Sequence, residues 1–151
     1  MRTNFFLACL LTIQGTSFAI ADGSIPSACR TIFGAAKSAI ANKRDHVPEA
    51  KLRAALPPRS VNGATSCPEL AELALSLNEI VDDVYSEYDV EPTTYATYKA
   101  EVCVRRLAHK AVPASFRSVQ PRLAACAKQP PNEAIECAMT VAGSKEGDDG
   151  S

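Results

Sequence analysis

Cys103 and His109 are the thiol and imidazole whose spacing first suggests a nucleophile and its base. Six residues apart on one helix, however, they project about 120° away from a shared face. Asp82 and Asp83 offer a second pair of reactive groups, but adjacent helical carboxylates diverge by about 100°, so acid and base work would need a further carboxylate from elsewhere. His46, between Asp45 and Val47-Pro48, reads as an ordinary loop histidine. No G-x-S-x-G elbow, phosphate-binding glycine loop, H-E-x-x-H or G-x-G-x-x-G occurs in the chain. The expectation is a protein that is not an enzyme, with no catalytic residues, no cofactor and no metal site.

The cysteines carry chemistry of another kind. Arg2, the apolar stretch Phe5 to Ile13 and the small-x-small pattern Ala19-Ile20-Ala21 together read as a secretory signal over residues 1–21, with the mature chain starting at Asp22. The apolar stretch is broken by Thr12, Gln14, Gly15, Thr16 and Ser17, too early for a membrane span, and Cys9 stands too near the start for a lipobox. Export to a periplasmic or secreted location places Cys29, Cys67, Cys103, Cys126 and Cys137 in an oxidising compartment, where two disulfides and one leftover thiol are the simplest inventory. None has C-x-x-C spacing, which disfavours zinc. Several pairings are open from the sequence. The ranking favours Cys29 with Cys67, both in the first turns of helices that could pack in parallel, and Cys126 with Cys137 across the Pro130-Pro131 turn. Cys103 would then be the odd thiol, serving as a small apolar filler.

The elements that position these groups are helices. After residue 21 the aromatics are Phe33, Phe116 and four tyrosines, with no tryptophan, and alanine is abundant. Alanine favours helix and close helix approach, so the reading is an all-α fold, a small bundle of four to six helices stapled by disulfides, in a single domain over 22–142. Apolar residues recur at Leu70, Leu73, Ala74, Leu77, Ile80, Val81, Val84, Tyr85 and Tyr88, one face of a long helix between Cys67 and Tyr88. Ser66 and Glu69 form a capping box ahead of it, with Pro68 in the first turn. An earlier helix spans Pro26 to Lys43, a short one Pro48 to Leu56, and a loop runs through Asn62-Gly63. A fourth runs from Pro92 to before Pro113, antiparallel to the long helix, and two short ones follow over Pro121 to Lys128 and Asn132 to Ala142. The acidic tail 143–151 reads as disordered.

Charge is segregated along the chain. The total of 16 basic and 17 acidic residues nearly cancels, which excludes a protein that coats nucleic acid. Yet residues 60–98 hold eight acids and no Lys or Arg, whereas 99–128 carry seven basic residues and one acid. One reading sets the basic helix beside the acidic one, exchanging ion pairs. The sharper one makes Glu72, Glu79, Asp82, Asp83 and Glu87 an acidic docking face for a basic partner, with the tyrosines nearby as anchors. Tyr85 and Tyr88 also continue the apolar stripe, which argues for packing. The candidate contact residues are Glu79, Asp82, Asp83, Tyr85, Glu87 and Tyr88.

The run Ile80-Val81-Asp82-Asp83-Val84-Tyr85, then Pro92, a helix with the single Cys103, and Cys126 and Cys137 in a proline-punctuated segment, resembles a layout of small exported helical proteins of Gram-negative bacteria. In size, export and disulfide use the chain is similar to periplasmic immunity proteins that neutralise peptidoglycan amidase toxins. The resemblance implies a periplasmic protein-binding module, an inhibitor or immunity-type protein acting on a cell-wall hydrolase, with no catalytic residue. The alternative is a structural or accessory subunit of an envelope complex.

Overall fold

The computed structural model describes residues 25–59, 67–86, 89 and 91–144. The expected signal 1–21, the loop through Asn62-Gly63, Ser66 of the expected capping box, Glu87, Tyr88 and the tail from residue 145 lie outside these residues. Six helices form: α1 (Ser27–Arg44), α2 (Glu49–Arg53), α3 (Pro68–Tyr85), α4 (Pro92–Leu107), α5 (Phe116–Cys126) and α6 (Pro131–Ala142). No strand occurs among the described residues. The protein is a small all-helical bundle with two disulfides.

Helices α1, α3 and α4 make the core, with α5 and α6 closing the other side of α4. Ile32, Ala36, Ile40, Ile80, Val84, Tyr95, Val102, Phe116 and Leu123 are among the buried residues that meet there. α1 and α3 run parallel: Ser27 Oγ donates to Glu69 at the start of both, and Lys43 Nζ donates to the Val84 and Ser86 carbonyls at their ends, 2.7 and 3.0 Å away. α4 runs antiparallel to both, as expected beside α3, but its most extensive packing is on α1. The reason is side-chain size. α1 presents Cys29, Ala36 and Ala39 to the core, and these small groups let α4 approach closely.

That approach decides the cysteine chemistry. Cys29 pairs with Cys103 at a Cα separation of 5.5 Å, both fully buried, and Cys126 pairs with Cys137. The second pair, and the two disulfides and one free thiol among the described residues, agree with the sequence reading. The first pair corrects it: Cys103 is bonded and Cys67 is the free thiol. Parallel packing of α1 and α3 does occur, but Cys29 faces α4, whereas Cys67 sits half-exposed at the N-cap of α3. The bond also removes Cys103 as a nucleophile.

Helix ends account for the other differences. α5 begins at Phe116, not at Pro121, which lies inside it. Ser115 caps the start by accepting from the Ser118 N–H, and burial of Phe116 and Val119 holds the first turn despite the proline. Leu70 is exposed rather than on the buried stripe. His46 and His109 adopt positive φ, 58° and 53°, just past α1 and α4. Each completes a pair of bonds back into its helix, His46 N–H to the Lys43 carbonyl with Val47 N–H to Asn42, and His109 N–H to Arg106 with Lys110 N–H to Arg105. Both histidines therefore terminate helices.

Glu91 caps α4 with both carboxylate oxygens, which accept from Thr93 N–H and Thr94 N–H. Burial pushes this carboxyl up, but the Thr94 and Thr93 hydrogen bonds and the charge of Lys37 outweigh it, so the net direction is down. A carboxyl lowered on folding stabilises above its unfolded pKa and loses that contribution as pH falls through its folded value. Glu91→Ala is expected to cost about 1 kcal/mol near neutral pH. The deficit should fade in strong acid when urea unfolding is compared across pH, and an equal deficit at both ends would reject the cap.

Candidate functional site

The acidic stripe of α3 faces inward. Glu72, Ser76, Glu79 and Asp83 recur at four- and three-residue steps and meet Arg106, Lys99 and Tyr95 of antiparallel α4. Lys99, 3% exposed, donates to Glu79 at 2.8 Å and to Asp83 at 3.3 Å. Arg106 reaches Glu79 through both terminal nitrogens, at 3.1 and 2.9 Å, and Glu72 at 3.4 Å. Tyr95 donates to Asp83 at 2.8 Å. Burial raises the Asp83 carboxyl, and Lys99 and Tyr95 offset this only in part. Burial acts upward on Glu79 too, but Lys99 and Arg106 together hold it below its ordinary value.

The expected contact residues are thus engaged within the chain. Asp82 is held by Arg53 at 2.5 Å and by Arg59. Tyr85 donates its hydroxyl to the Val47 carbonyl at 2.7 Å, fixing the α1–α2 link against α3. The structure therefore places Glu79, Asp82, Asp83 and Tyr85 in intramolecular contacts, while Glu87 and Tyr88 lie outside the described residues. The pairing of the acidic helix with the basic one is the arrangement observed, and its pairs are more buried than surface ion pairs.

What the described residues leave uncovered lies on the opposite side of α4. A groove of about 850 Å³ runs along its outer face, floored by Thr93, Thr97, Ala100, Val104 and Ala108. Ile25 and Phe33 form one wall, and Ile135 and Met139 of α6 the other. Ile25, Met139 and Ile135 are 53%, 44% and 37% exposed, too much for side chains that serve only the core. Glu69 and Glu101 are the charged residues that line it, with no Lys or Arg among the described lining residues. Glu101 has Arg105 at 3.6 Å, and Glu69 accepts from Ser27. The sequence reading missed this site because it sought one buried stripe per helix. The signal was present in the second apolar spacing of α4 and in Ile135 and Met139, which fall beside the Ala134, Ala138 and Val141 face.

No group of His, Cys, Asp and Glu suited to a metal occurs among the described residues, and none of the described helices is long and apolar enough to cross a membrane. No protein-family model, curated protein or solved structure matches the chain.

Proposed function

We propose that this chain is an exported protein-binding module whose α4 groove receives an amphipathic helix from its partner, and that it acts as an inhibitor or immunity-type protein on a cell-wall hydrolase. The supporting observation is the groove. Thr93 to Ala108 gives it a floor about 22 Å long, the length of about four helical turns. Its Thr, Ala and Val floor admits a helix backbone closely, and the flanking Ile and Met side chains offer the apolar contact that helix-in-groove recognition uses. Glu69 and Glu101 select a helix flanked by Lys or Arg. The two disulfides are compatible with export, and the hydrolase-inhibitor class rests on the resemblance in size and disulfide use given under Sequence analysis.

The probe is a synthetic amphipathic 18-mer with a Leu/Ala face and Lys flanks, titrated against the protein recovered from the exported fraction. Ala100→Arg, on the open floor, should weaken binding at least tenfold, about 1.4 kcal/mol, with helical content unchanged. A Glu-flanked peptide should also bind more weakly. Equal binding by Ala100→Arg would remove the groove, and equal binding of the two peptides its charge selection. A dimer that Ala100→Arg breaks would give the groove to a second copy. Binding gained only after removal of residues 1–24 would give it to this chain's own leader. Either result overturns the reading.

A further inference from the structure

Resting on the reading of the α4 groove as a helix-binding site, we infer that Met139 is an oxidation site through which a peroxide switches that docking off. Met139 lies on the α6 wall of the groove, opposite Phe33. It is the one methionine after residue 1, and it is 44% exposed. A thioether reacts with peroxide when solvent reaches its sulfur, and this one is open to solvent. The other described residues of the lining are Ile, Pro, Phe, Thr, Ala, Val, Leu and Glu, whose side chains carry no sulfur.

The step balances with peroxide as the only co-reactant. The sulfur donates an electron pair to one peroxide oxygen, and the S–O bond forms as the O–O bond breaks. The departing hydroxide takes the proton of the transferred oxygen and leaves as water. Sulfur is oxidised from thioether to sulfoxide, and the peroxide is reduced.

The fold and the groove feel this oxygen differently. α6 holds the bundle through another face, since Ala134, Ala138, Val141 and Ala142 are its buried residues and the Cys126–Cys137 bond ties it to α5. Met139 is turned about 100° from Ala138, so in the free protein an oxygen on its sulfur meets water and costs the fold little. A docked helix covers the α6 wall. The sulfoxide, a strong acceptor, is then taken out of water against Ile135, one turn earlier, and the apolar face of the incoming helix, neither of which donates a hydrogen bond. Oxidation therefore opposes docking and leaves the bundle folded.

The test compares the protein before and after hydrogen peroxide, with Cys67→Ser in both samples so that the free thiol makes no contribution. Tandem mass spectrometry should place an added oxygen on Met139, and the Lys-flanked amphipathic peptide, when bound, should slow that addition. The oxidised protein should keep its melting temperature and helical content while binding the peptide about fivefold more weakly, the order of the cost of burying one polar group without a full partner. Met139→Leu, whatever its starting affinity, should show no change on peroxide treatment. No oxygen on Met139, equal affinity of the two forms, an equal loss in treated Met139→Leu, or a lowered melting temperature after oxidation would each overturn the inference and leave the groove reading standing. A peptide that fails to bind the untreated protein would overturn both.

Discussion

Replacing Cys29 and Cys103 together by alanine is expected to lower the unfolding free energy by about 4 kcal/mol, from the loop-closure entropy of the long loop the bond closes. The bond joins residues 74 apart in sequence and ties the start of α1 to the end of α4. The Cys126–Cys137 bond spans only 11 residues, and its removal should cost about 3 kcal/mol by the same relation. Against a total of roughly 5–15 kcal/mol for a domain of this kind, the first loss is the more damaging. Urea unfolding should show it as a midpoint lowered by about 2 M, at a slope of about 2 kcal/mol per molar. Both sulfurs are fully buried, so each alanine also leaves a small void that adds to the cost. A double variant within 1 kcal/mol of the parent would show that helix packing, and not the crosslink, holds α1 on α4.

Lys99→Met should be of similar size, about 3–5 kcal/mol, because it removes the cation that Glu79 and Asp83 share in the interior. Arg53→Met is the comparison. Its pair with Asp82 is a little over one-third exposed on each side, so the loss there should be about 1 kcal/mol or less. Burial already raises the Asp83 carboxyl above its ordinary value, and Lys99 is the strongest influence pulling it back. A carboxyl raised on folding holds its proton more tightly in the native state, so protonating it favours the fold as pH falls through that raised value. The Lys99→Met deficit should therefore be largest at neutral pH and shrink on acidification. In the parent, Glu79 works the other way, being lowered on folding, so its contribution is lost as pH falls through its depressed value. Chemical unfolding of both variants across pH measures these effects. A deficit no larger than that of Arg53→Met would mean that water reaches the carboxylates and replaces the ammonium.

The local information in the chain was sufficient for the number and order of the helices, though not for the start of α5. The three-and-four spacing from Leu73 to Tyr85, the prolines at the starts of α3 and α4 and the Pro130-Pro131 break fix where helices run, because period and backbone constraint act within a few residues. Charge segregation likewise foretold that acidic α3 would lie beside basic α4. The cysteine count from residue 22 onward also anticipated two disulfides and one free thiol among the described residues.

Which cysteine remains free, which carboxylates face solvent and where an apolar surface is left uncovered depended on how the helices rotate against one another. A change of one residue in facing turns a side chain by about 100°, and that rotation is settled by packing between segments far apart in sequence. Small residues on α1 draw α4 onto it, bringing Cys29 to Cys103 and leaving Cys67 half-exposed at a helix end. The same placement turns Glu79 and Asp83 inward onto Lys99 and leaves Ile25, Ile135 and Met139 around an open groove. Sequence period determined the helices and their charges, and only the tertiary packing decided which of their faces were used internally and which the described residues leave uncovered.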